Sequence, residues 1–120
     1  MAGFDAIIGN PPFVAGTSIS TALSTLYLQL LMTIYSQAGN RMDLVAYFFR
    51  RSFALLRENG TLGLIATKTI GQGDTRSGGL RVICAEGGVI YRCRRRVTWP
   101  GVAAVTISIV HVSKGDNRMQ

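Results

Sequence analysis

The stretch FDAIIGNPPF at residues 4–13 constrains the fold more than any other part of this 120-residue chain. Phe4, Ala6, Ile7 and Ile8 form a short apolar run of the kind found in a buried strand. Pro11 and Pro12 then end it, because each fixes φ and neither has an N–H to give a neighbouring strand. The run therefore predicts a strand that stops in a rigid corner. In open α/β sheets, ligands bind beyond the carboxyl ends of the strands, and Asn10 stands at such an end. Its side-chain oxygen and the Pro11 carbonyl make two converging acceptors, with no competing amide donor between them. A planar exocyclic amine has two hydrogens for such a pair, and Phe13 can lie flat against the ring that carries it.

The rest of the chain reads as alternating helices and strands. Leu23, Leu26, Tyr27, Leu30, Leu31, Ile34 and Tyr35 follow helical spacing, which predicts a helix from Thr21 to about Ala38 capped by Gly39-Asn40. Asp43 is placed to cap a second helix through Phe48, Phe49, Phe53 and Leu56, ended by Gly60. TLGLIAT at 61–67 is an apolar strand. GQGDTRSGG at 71–79 reads as a glycine-rich loop leading into a short helix at 80–85. VIYRCRRRV at 89–97 suits a half-exposed strand, Trp99-Pro100-Gly101 a turn, and VAAVTISIVHV at 102–112 the strongest strand of all. Lys114 onward reads as a frayed polar end. This order predicts an α/β fold whose last two strands form a hairpin.

Thirteen Lys and Arg face six Asp and Glu, a formal charge of +7, so a polyanionic partner is favoured, with nucleic acid ahead of a membrane surface. Arg92, Arg94, Arg95 and Arg96 form the densest basic patch, which Lys68, Arg76 and Arg81 could extend. Phosphate pairing and plain solvation both account for it. The longest apolar stretch, Leu23 to Tyr35, is too short to cross a bilayer. Cys84 and Cys93 form no CxxC pair and read as reduced thiols of a cytoplasmic protein. Two distant cysteines and the single histidine, His111, offer no metal set. His111 reads as a strand residue, and Trp99 as cover for the hairpin core.

GNPPF after an apolar strand resembles the signature of amino-group methyltransferases that use S-adenosylmethionine, above all the N6-adenine DNA methyltransferases of type II restriction–modification systems. DLVAYFFRRSFALLRENGTLGLIAT resembles that family's next helix and strand, and TWPGVAAVTISIVHVSKG its late hairpin; together the matches cover roughly 4–67 and 97–115. The resemblance implies a partial Rossmann-like sheet of about four strands with flanking helices. It assigns catalysis to Asn10, Pro11, Pro12 and Phe13: the first two hold the adenine N6 amine, Pro12 holds the turn, and Phe13 stacks on a base flipped from double-stranded DNA. Relatives often have Asn after the Thr or Ser that ends the strand matching LIATKT, whereas Lys68 follows Thr67 here.

The same family binds its cofactor through a glycine-rich turn and an acidic residue that both precede NPPF, so cofactor contacts are expected upstream of Met1 and not on GQGDTRSGG. The expected organisation is a methyltransferase fragment at 1–115, inactive on its own, with a frayed tail at 116–120. Its first strand would form an uncovered edge, open to self-association or to the missing part of its own enzyme. Two alternatives stand beside this reading. One is the same chemistry on a protein glutamine or an RNA guanine; the other is a non-catalytic DNA-binding remnant.

Overall fold

A computed structural model describes residues 2–100 and 105–115. Four strands make one mixed sheet: β1 (Phe4–Gly9), β2 (Leu56–Thr67), β3 (Gly88–Thr98) and β4 (Thr106–Lys114). Their spatial order is β1-β2-β4-β3, with β1 parallel to β2 and β4 antiparallel to both its neighbours. The predicted α/β class and the closing hairpin are both present. The last strand does not sit at the edge but enters between β2 and β3.

Helices α1 (Ile19–Ala22), α2 (Thr25–Ile34) and α3 (Leu44–Leu55) fill the crossover from β1 to β2, and α4 (Gly73–Gly78) and α5 (Leu80–Ala85) lie between β2 and β3. The core forms on one sheet face. Leu62, Leu64, Ala66, Val110 and Val112 point to it and pack with Val45, Phe49 and Phe53 of α3 and Ile83 of α5. Thr61, Gly63, Ile65, Ile109 and His111 point the other way and are only half-buried. On that side Phe4 and Ile8 of the edge strand are 58% and 85% exposed. None of the helices among the described residues is long and apolar enough to cross a membrane.

Several boundaries differ from the sequence-based expectation. The helix predicted over 21–38 breaks into α1 and α2, because the Ser24 hydroxyl accepts the Tyr27 N–H at 3.0 Å and starts a new helix there. The helix expected to reach Gly60 stops at Leu55. Leu56 is buried opposite Phe4, and strand pairing there outweighs helical spacing. The strand bulges before Ala6 pairs with Thr61. Gly60 fits that bulge because a Cβ would lie 2.9 Å from the carbonyl oxygens of Phe4 and Arg57.

GQGDTRSGG is not a loop, since most of it winds into α4. β3 lacks the expected alternation: nearly every residue from Ile90 to Thr98 is exposed, as suits an edge strand whose register slips twice. Lys114 is no frayed end either. Its Nζ donates to the carbonyls of Phe53 (3.1 Å) and Leu56 (2.9 Å), closing the C-terminus of α3 with a positive charge. The strand predicted over 102–112 runs from Thr106; residues 101–104 and the tail at 116–120 lie outside the described residues.

Candidate active site

The carboxyl ends of β1 and β2 lie side by side because the two strands are parallel. Asn10, Pro11, Pro12 and Phe13 leave the first; Thr67 and Lys68 leave the second. Pro11 is buried, whereas Asn10, Pro12 and Phe13 are exposed, Phe13 by 43%. The Asn10 carboxamide makes no hydrogen bond to the described residues. It borders a 320 Å³ hollow along β1 with Pro11, Pro12, Phe48 and Ser52. Phe13 borders a different hollow of about 540 Å³, shared with Asp43, Thr67, Lys68, Thr69 and Thr106. The NPPF residues thus flank one corner but look into two depressions.

That corner is fastened from behind by Asp43. Sequence reasoning favoured a helix cap for this residue, and it does stand at the N-cap position of α3, yet its side chain makes no capping bond. Oδ1 accepts the Gly16 N–H at 2.7 Å and Oδ2 accepts the Thr69 hydroxyl. Thr69 is joined in turn to Thr67 (2.7 Å between hydroxyl oxygens), while the Asp43 N–H donates to Thr75 Oγ1 at 3.1 Å. The Leu44 N–H adds a backbone bond to the Val14 carbonyl at 2.9 Å. The carboxylate therefore knots the loop after NPPF to the end of β2. Its partners lie 26 and 27 residues away, so no local pattern announces them.

The basic residues separate into two groups. Lys68, Arg95 and Arg96 line a 430 Å³ cavity with Gln72, Thr106 and Ser108. Arg92 and Arg94 are exposed further along β3 and border none of these hollows. Arg76 and Arg81 sit exposed on α4 and α5. His111 is half-buried on the open sheet face, its ring 5.8 Å from that of Tyr91, and its Nδ1 has no partner among the described residues. Trp99 is 39% exposed and closes the hairpin through its backbone N–H to the Val105 carbonyl (2.9 Å). Cys84 and Cys93 are both free and exposed.

A family model described as Eco57I restriction-modification methylase matches residues 1–81. The chain belongs to that family. It is 41% identical over 64 residues to the Type II methyltransferase M.BstVI of Geobacillus stearothermophilus, covering 53% of this chain and 11% of that protein. M.XhoI of Xanthomonas vasicola (36% over 64 residues, 53% of this chain and 11% of that protein) is also similar. So is the restriction enzyme and methyltransferase RM.Eco57I of Escherichia coli (37% over 62 residues, 52% and 6%). The chain spans about a tenth or less of the length of these relatives.

Among solved structures, the Type IIL restriction-modification enzyme MmeI in complex with DNA superposes with a TM-score of 0.74 at 24% identity, over 94% of this chain and 16% of that one. A Listeria monocytogenes protein described as a class I S-adenosylmethionine-dependent methyltransferase gives 0.70 at 12%, over all of this chain and 34% of that one. The fold is therefore that of the Rossmann-like methyltransferases, and the four strands form part of such a sheet.

Proposed function

We propose that this chain carries the amine-handling part of a DNA methyltransferase that methylates adenine at N6 within a restriction–modification system. The observation that carries the reading is the NPPF corner at the carboxyl end of β1, where Asn10, Pro12 and Phe13 are exposed around a buried Pro11 and the Asn10 carboxamide is unengaged. Asn10 and the Pro11 carbonyl are assigned to accept the two N6 hydrogens, drawing the nitrogen lone pair out of ring conjugation. Pro12 fixes the corner and Phe13 presents a flat apolar face to the extruded base. Catalysis on this side of the reaction is positioning of the nucleophilic amine. DNA backbone contacts fall to Lys68, Arg92, Arg94, Arg95 and Arg96. The cytoplasm, where DNA is reached and the two thiols stay reduced, is the matching compartment.

S-adenosylmethionine supplies the methyl group in this reading. The glycine-rich segment at 71–79 offers no loop for it, because most of it is wound into α4.

The test replaces the aligned 64-residue segment of the Geobacillus relative with this chain's own residues and assays labelled methyl transfer to unmodified DNA. N6-methyladenine is expected in the nucleoside digest, and Asn10→Ala is expected to abolish it. An active chimaera indifferent to Asn10→Ala, or one that makes no N6-methyladenine, would refute the reading.

A further inference from the structure

The cavity lined by Lys68, Gln72, Arg95, Arg96, Thr106 and Ser108 has features that a merely solvated basic surface does not need. Its two arginines come from a break in the β3–β4 register. Arg94 pairs with Ile109 and Val97 with Ile107, so Arg95 and Arg96 together stand opposite the single residue Ser108, a bulge with one extra residue. Arg96 adopts φ +58, a left-handed conformation that a long side chain rarely takes. Bulges of this kind re-aim side chains, and such backbone conformations cluster where a site depends on them.

Three cations share this cavity, and none has an ion-pair partner among the described residues. Ser108 is 95% buried on the cavity wall, and its hydroxyl makes no hydrogen bond to the described residues. Its hydroxyl, the Gln72 amide and the Thr106 hydroxyl add neutral donors to the three cations. Guanidinium forks and an ammonium around a hydroxyl suit a tetrahedral oxyanion, which accepts several bonds from different directions.

Position narrows the ligand further. Lys68 and Thr106 also line the hollow that Phe13 borders, so the two depressions share a wall. The geometry points to a pocket for a single phosphodiester of DNA, the one adjoining the nucleotide whose base enters the Phe13 hollow. This rests on the DNA-methyltransferase reading above, and it adds a second anchor to it. The sugar–phosphate is gripped by Lys68, Arg95, Arg96 and Ser108, while the base is held separately at the NPPF corner. Arg92 and Arg94 are outside the pocket and are left to meet other phosphates of the backbone.

The full 120-residue chain, labelled with nitrogen-15, is titrated at constant ionic strength with inorganic phosphate and, separately, with a trideoxynucleotide whose central residue is abasic. Saturable shifts are expected at the amides of Arg96, Thr106 and Ser108, with the phosphodiester probe bound more tightly than the free ion. Arg96→Gly removes the guanidinium while easing the left-handed backbone. It is expected to weaken binding roughly ten- to a hundredfold. Arg95→Ala provides an independent variant with a loss in the same range, whereas Arg51→Ala, on the exposed face of α3 and outside the pocket, leaves affinity within about twofold.

Equal losses in all three variants would overturn the proposal, as would shifts that grow without saturation or tighter binding of free phosphate. The titration contains neither S-adenosylmethionine nor a target base. Failure of the pocket and failure of the methyl-transfer reading are thus distinguishable.

Discussion

The carboxylate of Asp43 accepts the Gly16 N–H at 2.7 Å, joining the first residue of the α3 approach to the loop that follows Phe13. The same side chain takes the Thr69 hydroxyl, so one residue fixes the spacing of the two loops that frame the candidate site. Removing it leaves the part-buried Gly16 N–H without an acceptor and the Thr69 hydroxyl with only Thr67. Asp43→Ala is expected to cost about 1–3 kcal/mol in urea unfolding. Asp43→Asn keeps an acceptor oxygen and should lose less than half as much. Hydrogen exchange at the Gly16 amide should accelerate in the alanine variant and stay near the parent rate in the asparagine one.

Gly16 itself tolerates no side chain. A Cβ built there would collide with the carbonyl group of Arg41. Gly16→Ala is expected to push the 14–18 loop off Arg41, break the bond to Asp43, and cost about 1–3 kcal/mol as overpacking. Circular dichroism should show the sheet retained while thermal unfolding moves to lower temperature.

The framework of this fold was legible because its signals are short-range. Di-proline after an apolar run gave the end of β1, and the apolar runs at 61–67 and 102–112 gave the central strands. What escaped the sequence is long-range. Nothing local distinguishes an Asp43 that caps its own helix from one that reaches Gly16 and Thr69. Nor does the spacing of Leu55 and Leu56 show that the second is claimed by pairing with Phe4. The separation of Arg95 and Arg96 from Arg92 and Arg94 required the register break, which is invisible in a run that reads simply RCRRR. The order β2-β4-β3 likewise follows from partner choice rather than from any property of the strands one by one.

Tyr47 offers a titratable probe of the core. Its hydroxyl is buried without a hydrogen-bond partner among the described residues, and its ring meets Tyr35 edge-on at 5.4 Å. Burial raises its pKa above the ordinary value of 10.0, outweighing the opposing pull of the Arg50 charge. The folded state therefore holds this proton more tightly than the unfolded state. Its contribution to stability is intact below about pH 10 and falls as pH rises through the folded value. Tyr47→Phe is expected to hold stability or raise it by up to about 1 kcal/mol at neutral pH. It should also remove part of the decline above pH 10 in denaturant titrations.

The edge strand predicts association. Phe4 and Ile8 lie on the helix-free side of β1, and the outer backbone of that strand has no neighbour among the described residues. Sedimentation of the isolated chain is expected to show concentration-dependent oligomers. Ile8→Lys places a charge on that edge and should shift the population toward monomer, while leaving the Ile7 contacts with the core in place. A parent chain that sediments as monomer at every concentration would contradict this.

The hairpin carries one further implication, for synthesis on the ribosome. β4 follows the other three strands in the chain yet bridges β2 and β3. Until its residues leave the exit tunnel, β3 has nothing to lie against, and the sheet can close only as far as the β1–β2 pair. Lys114 is the final residue of that strand and also ties it to the end of α3. Translation that halts before Thr106 would release a half-built sheet, with Leu62 and Leu64 lacking their cross-strand partners Val112 and Val110.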